Sequence, residues 1–297
     1  MTRTRRWVAG WVAGLALLTV APVGAVAQHS SDPGQWRFPV GERAEYDVTF
    51  GPVKVGKGSL AVEAIDTIAG TPAYRVAFEI RGGAFFYRID DRSVSWVAPR
   101  PIRSLRFEQR LREGGYRRHR RYELDQTASV FTREDWDAAH LGYRPNPDWS
   151  GVPMPAGALD EIAYVFLARE VPLEPGRTYY FDRYFQADGN PVVLKMLRRE
   201  TVRVPAGRFR TVVVQPIIHA GGMFGRGGEA ELYITNDERR IIVLLKAHMS
   251  AGDLAMYLRE YEPGAPDGYI TAPDGSMDHQ PAEDEPGRRE ATAVTTR

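Results

Sequence analysis

The sequence predicts a mainly β protein: a strongly curved antiparallel sheet or barrel of about ten to twelve strands, with one amphipathic helix. Three observations predict it. Apolar and polar residues alternate with period two along most of the chain, as in strands buried on one face. Clusters rich in Gly, Asn, Asp and Pro separate these runs and supply turn chemistry. The runs are also too numerous for one flat sheet, which favours curling or closure.

The alternation is clearest between residues 74 and 81. The even positions there are apolar, whereas the odd positions include Arg75, Glu79 and Arg81. One wet face and one buried face are typical of antiparallel sheets. The same alternation recurs at 60–64, 105–111 and 192–204, and the runs 209–218 and 241–245, apolar on both parities, predict strands covered on both sides.

One segment has helical periodicity instead. Apolar residues recur at i, i+3, i+4, i+7 and i+8 from Leu159 to Leu167, which is the stripe of a helix packed on a core. Asp160 and Glu161 near its start and Arg169 near its end match the helix dipole. We expect this helix, over 157–170, to plug or cap the curved sheet.

The first 27 residues have the order of a secretory signal peptide. A start containing three arginines precedes an apolar run over 7–20, and Ala25-Val26-Ala27 predicts cleavage before Gln28. The run is short for a membrane helix, which needs about 20 apolar residues, although an uncleaved anchor is the alternative. We therefore expect an exported, periplasmic protein that is not integral to the membrane after cleavage.

Composition divides the rest of the chain and excludes several functions. We predict a flexible lead over 28–35, a single antiparallel β domain over 36–262 and a disordered tail over 263–297, which is rich in Pro, Gly and charge. Without cysteine the chain has no lipoprotein anchor, thiol nucleophile or thiolate metal site. Removing the signal lowers the formal charge from +1 to −2, which offers no argument for a nucleic-acid partner.

The strongest local anomaly is a run of nine arginines between Arg100 and Arg121 that contains only two acids. Guanidinium groups so spaced on a hairpin can hold phosphate or carboxylate groups of a lipid or an acidic glycan. The favoured alternative is a solvated face whose arginines pair with acids on neighbouring strands. The candidate anion-binding residues are Arg106, Arg110, Arg112, Arg117, Arg118, Arg120 and Arg121.

No other pattern predicts chemistry. The histidines lack metal-ligand spacing, no nucleophile elbow occurs, and we expect no metal, no cofactor and no enzymatic activity. The glycine-rich segment 221–228 lacks the rest of a phosphate-binding motif and is interpreted as a hairpin loop. The candidates for sugar stacking are Trp36, Trp96, Trp136 and Trp149, with Tyr143, although core packing is the favoured interpretation.

Five motifs carry a family resemblance. They are the segments 38–46, 55–58, 154–169, 204–209 and 231–243. Together they resemble the exported bacterial family known as domain of unknown function 3108. The resemblance implies an exported, mainly antiparallel β protein with a strongly curved sheet, and it implies no reaction and no site residues.

Three hypotheses for function follow. The first is a cell-envelope binding or assembly module for an apolar or amphipathic ligand such as a lipid, which predicts a contiguous apolar cavity. The second is a structural protein that binds an envelope partner through its arginine-rich face or its tail. The third is a glycan hydrolase, which needs two carboxylates about 5 to 9.5 Å apart in a cleft. We rank them in that order.

Overall fold

A computed structural model describes residues 28–29, 38–84, 87–218, 229–249 and 252–265. These residues form sixteen strands and one α-helix, so the predicted mainly β class is confirmed. The signal segment, the loop 221–228 and residues 266–297 of the tail lie outside the described residues. No described helix is both long enough and apolar enough to cross a membrane.

The elements follow one another in a simple order. The helix α1 (Glu161–Glu170) lies between the tenth and eleventh strands. The strands are β1 (Gln28–His29), β2 (Glu42–Phe50), β3 (Val53–Ile68), β4 (Thr71–Ala84), β5 (Tyr87–Pro99), β6 (Ile102–Glu113), β7 (Tyr116–Asp125), β8 (Val130–Asp137), β9 (Gly142–Pro145), β10 (Val152–Pro153), β11 (Thr178–Phe181), β12 (Val192–Val204), β13 (Gly207–Ile217), β14 (Glu229–Thr235), β15 (Ile242–Met249) and β16 (Gly252–Pro263).

All the strands belong to one sheet, in the order β1-β11-β12-β13-β14-β15-β16-β2-β3-β4-β5-β6-β7-β8-β10, with β9 also paired to β8. Every pair is antiparallel except β1 with β11. The count of sixteen exceeds the predicted ten to twelve. The excess comes from β1, β9, β10 and β11, which have two to four residues each and are too short to show alternation.

The sheet curls until its two ends approach each other. Phe185, which follows β11, packs on Tyr122 of β7 and Phe131 of β8, with ring centroids 5.1 and 5.2 Å apart. No continuous ladder closes the sheet among the described residues. Instead, Ala158 accepts a bond from the Ser104 backbone N–H (2.9 Å), and the next residue, Leu159, donates to the Arg183 carbonyl (2.7 Å). The segment before α1 therefore spans the gap.

Helix α1 fills the interior of the curled sheet. Asp160 caps its first turn by accepting from the Ile162 and Ala163 N–H groups at 2.9 and 3.0 Å. Eight of its ten residues are buried, so the helix is covered nearly all round rather than along one stripe. This confirms the predicted helix and its position inside the sheet, but the helix begins at Glu161 rather than at residue 157, because Asp160 caps its first turn.

The described core is tightly packed. One cavity of about 10 Å³ lies beside Arg169, and another of about 30 Å³ is lined by Tyr46, Phe78 and Val165. A cavity needs about 10–15 Å³ of such volume to hold one water molecule, so neither cavity admits an acyl chain.

The domain ends differ slightly from the predicted boundaries. Gln28 and His29 of the predicted lead form β1 and pair with β11. Pro263 of the predicted tail pairs with Glu42, and the Ala265 N–H donates to the Val40 carbonyl at 2.9 Å. Backbone pairing therefore extends beyond the apolar alternation that the sequence displays.

Candidate functional site

The ends of two neighbouring hairpins, β4–β5 and β6–β7, present one face to solvent. Ile80 and Phe107 of these strands point into the core. Residues of the opposite parity point away from it, because side chains alternate along a strand. Register places Arg81 opposite Asp90 on one hairpin, and Arg112 opposite Arg117 on the other.

These side chains surround an open groove of about 880 Å³. We name it the arginine groove and define it by its charged residues. They are Arg81, Arg88, Asp90, Arg110, Arg112 and Arg117.

Positive charge is in excess in the arginine groove. The Asp90 carboxylate is shared between Arg81 (Nε to Oδ1, 3.5 Å) and Arg110 (Nη2 to Oδ1, 3.7 Å). Among the described residues, no carboxylate lies within ion-pair distance of Arg88, Arg112 or Arg117. Three exposed guanidinium groups are thus available to an anion.

The direct opposition of Arg112 and Arg117 costs stability, because like charges paired across strands repel. Opposed residues have Cβ atoms about 5 Å apart, so their two guanidinium groups can converge on one phosphate or carboxylate. A bound anion would convert this repulsion into attraction.

Two local features of the backbone lie at the groove. A Cβ at Gly82 would lie 2.1 Å from the Val55 carbonyl oxygen, so β3 and β4 approach each other more closely there than a side chain allows. On the inner face, the Asp91 carboxylate accepts the Arg112 backbone N–H at 2.7 Å and so positions that arginine. Burial raises the pKa of Asp91 to about 7, with a further rise from neighbouring Glu113.

The predicted arginines separate into three groups, of which the first lies in the groove: Arg110, Arg112 and Arg117. The second group shares the outer face but is paired with acids, as the favoured alternative expects. Arg106 Nε lies 2.6 Å from Glu123, and Arg121 lies 3.5 Å from Glu108.

The third group, Arg118 and Arg120, faces the inner side of β7. Arg120 Nε lies 3.2 Å from Asp135, and the Arg118 guanidinium lies 5.4 Å from the centroid of the Tyr116 ring. The arginine run therefore does not form one continuous surface, because successive residues of a strand point to opposite faces.

Sequence reasoning missed Arg81 and Arg88. They come from the β4–β5 hairpin and reach the groove only because β5 pairs with β6. Their one sequence signal is the Arg81-Gly82-Gly83 segment before a turn, which by itself predicts only a hairpin end.

A second groove, of about 550 Å³, lies on β14–β16 and β2. Its charges are mixed: Glu231 and Lys246 oppose each other, and His248 pairs with Asp253. Balanced charge makes it a weaker candidate for an ionic ligand. Among the described residues, no group of three or more His, Asp or Glu side chains is placed to hold a metal ion.

Comparison with known proteins identifies a family. A family model described as "Protein of unknown function (DUF3108)" matches residues 45–259. No curated protein matches the chain.

The solved structures that match this chain have remote sequences. A β-barrel-like protein of domain of unknown function DUF1849 from Brucella abortus has 9% identity and a TM-score of 0.44, over 76% of this chain and 98% of that one. A protein described as a lipoprotein from Parabacteroides distasonis has 11% identity and a TM-score of 0.28, over 77% and 99%. A protein described as exported, with a YmcC-like fold, from Bacteroides fragilis has 12% identity and a TM-score of 0.27, over 77% and 99%.

Proposed function

Because this chain belongs to the DUF3108 family, whose description names no activity, we propose its function from the site: a non-enzymatic, exported binding module of the cell envelope that holds a multiply charged anion in the arginine groove. One observation carries the proposal. Three guanidinium groups that have no carboxylate partner within the described part of the chain, those of Arg88, Arg112 and Arg117, face an open groove of about 880 Å³.

The chemistry of arginine defines the ligand class. A guanidinium group donates two parallel hydrogen bonds to a phosphate or carboxylate, and it keeps its charge at every physiological pH. The headgroup of an anionic lipid and an acidic glycan share this chemistry. The two cavities found in the described core are too small for an acyl chain. We therefore propose that this protein binds its ligand through the charged part of the ligand, which lies in the groove.

The test removes two charges from the groove and two from a matched control pair. Arg203 and Arg208 are also exposed and directly opposed across a hairpin, but they lie outside the groove. Three forms of the mature chain, residues 28–297, are prepared: the unchanged protein, R112Q/R117Q and R203Q/R208Q. Titration calorimetry then measures binding of inorganic tripolyphosphate, an oligogalacturonate and vesicles containing anionic phospholipid.

We expect R112Q/R117Q to weaken tripolyphosphate binding by at least 10-fold, because each lost charge-assisted bond contributes about 1.5–3 kcal/mol. We expect R203Q/R208Q to change it less than 2-fold. Equal losses in the two variants, or no binding by the unchanged domain, would refute the proposal. Recovery of the bound ligand unaltered, by mass spectrometry, tests the non-enzymatic part. The oligogalacturonate and vesicle titrations distinguish a glycan from a lipid source of the anion.

A further inference from the structure

A cluster of aromatic rings lies on the outer face beside the arginine groove. We name His119, Trp136 and Tyr143 the aromatic platform. The His119 and Trp136 rings are stacked, with centroids 4.7 Å apart and planes inclined by 19°. Tyr143 meets Trp136 edge to face at 5.3 Å. Trp136 retains 37% of its surface exposed to solvent.

The platform does not belong to the hydrophobic core. His119 lies directly opposite Arg110, on the face of β6–β7 that points away from the interior. The Tyr143 hydroxyl lies 2.6 Å from His119 Nε2, so these two polar groups are paired within the platform. The Arg121 guanidinium covers the Tyr143 ring at 3.8 Å from its centroid. His119 and Tyr143 therefore hold the Trp136 ring in place, and part of the indole surface remains exposed to solvent.

The platform and the groove form one continuous surface. Arg110 lines the groove and is the cross-strand neighbour of His119. Arg117 lies two residues from His119 on the same strand, about 7 Å away, and Trp136 is on the next strand, about 5 Å further across the sheet. A ligand about 10 Å long can contact the groove arginines and the indole together.

We propose that the ligand of this combined surface is an acidic glycan, whose carboxylate groups bind in the arginine groove while a sugar ring stacks on Trp136. This inference rests on the proposed function and names the ligand class for the same site. A pyranose ring has an apolar C–H face, which can pack on one aromatic ring while the rest of the sugar stays in solvent. Tyr and Trp provide such an aromatic surface. An acyl chain requires burial on all sides, which a surface open to solvent does not provide.

The same combination of charge and ring stacking would suit a single-stranded nucleic acid, in which bases replace sugar rings. The exported, acidic character expected of the mature chain disfavours that ligand. Oligothymidylate is therefore included among the probes as a competing outcome.

The experiment compares two tryptophans of equal exposure. Trp149 is also 37% exposed, but it packs on Phe131 and Arg133 away from the groove. Trp136→Ala, Trp136→Phe and Trp149→Ala are titrated with oligogalacturonate, the neutral maltohexaose, tripolyphosphate, oligothymidylate and anionic vesicles. Thermal unfolding confirms that each variant is folded.

We expect Trp136→Ala to weaken oligogalacturonate binding about 10-fold and to leave tripolyphosphate binding within 2-fold. Trp136→Phe, which retains a ring, should recover most of the loss, and Trp149→Ala should change neither affinity. Maltohexaose should bind far more weakly than oligogalacturonate, because it lacks the charge.

The outcomes separate the inference from the function on which it rests. If Trp136→Ala leaves oligogalacturonate binding unchanged while R112Q/R117Q abolishes it, the groove binds anions and the stacking inference is wrong. Tighter binding of oligothymidylate or vesicles than of oligogalacturonate also overturns the inference. If the unchanged domain binds neither tripolyphosphate nor oligogalacturonate, the proposed function itself fails.

Discussion

Removing one partner of the buried ion pair between Arg169 and Glu42 should destabilise the fold. Arg169, near the end of α1, and Glu42, at the start of β2, have side chains only 3% and 6% exposed. Arg169 Nη1 donates to Glu42 Oε2 at 3.3 Å, and Nη2 donates to Oε1. The arginine also donates to the Arg240 carbonyl at 2.8 Å, and the Tyr261 hydroxyl donates to Glu42 at 3.0 Å. The pair therefore joins the helix to β2, β16 and the β14–β15 turn.

The perturbation is Glu42→Gln, which keeps the size of the side chain but removes its charge. The Arg169 charge then remains buried without a counter-ion, and breaking such a pair costs about 3–5 kcal/mol of unfolding free energy. We expect a loss of about 3 kcal/mol, because the backbone carbonyl and the Phe38 ring, at 3.8 Å, still contact the guanidinium.

Urea unfolding at neutral pH measures this loss, and a double-mutant cycle with Arg169→Met isolates the coupling between the two side chains. The control is Glu231→Gln. It breaks the Arg198–Glu231 pair, whose side chains are 44% and 26% exposed, and should cost less than about 1 kcal/mol. A loss below about 1 kcal/mol for Glu42→Gln, or additive single losses in the cycle, would refute the reasoning.

Two further predictions concern the helix cap and the groove. Burial raises the pKa of Asp160 to about 6, whereas the pKa of an aspartate in an unfolded chain is about 3.9. Between about pH 4 and pH 6 the folded state therefore holds a proton on Asp160 that the unfolded state has released. The free energy of unfolding falls as pH rises through this window. Asp160→Asn, which preserves the cap acceptor, should therefore gain stability relative to the unchanged protein across that window; urea unfolding showing a constant difference would contradict this. Gly82→Ala should lower the free energy of unfolding by about 1–3 kcal/mol, because the Val55 carbonyl oxygen lies 2.1 Å from the position of the new Cβ. The control Gly115→Ala should change it little, because no atom lies within 4 Å of the new Cβ. Equal melting temperatures of the two variants would disprove the steric argument.

The fold class could be predicted because it depends on local pattern. Alternation along 74–81 identifies a strand without reference to its neighbours, and the stripe from Leu159 to Leu167 identifies the helix. The four shortest strands escaped prediction because two to four residues carry no measurable period. Their strand geometry is imposed by hydrogen bonding to a neighbour, as in the pairing of Val152 with Phe131.

The candidate site was only partly predictable, for the same physical reason. The arginine run indicates a concentration of positive charge, but it does not indicate which face of the sheet each arginine occupies. Arg112 and Arg118 are six residues apart and point to opposite faces of the sheet. Whether a given arginine is neutralised depends on which acid the next strand supplies, as Glu123 does for Arg106.

The sequence by itself determined that the chain is mainly β with one internal helix, and it located the charge that makes the protein unusual. Only the tertiary structure decided which guanidinium groups share a groove, because Arg81 and Arg88 join Arg112 and Arg117 through strand pairing across some 30 residues of chain. The periodicity of apolar residues is a property of neighbouring residues, so it can be read from the sequence alone. A binding surface is a property of register and sheet order, which are fixed when the strands assemble around a common core.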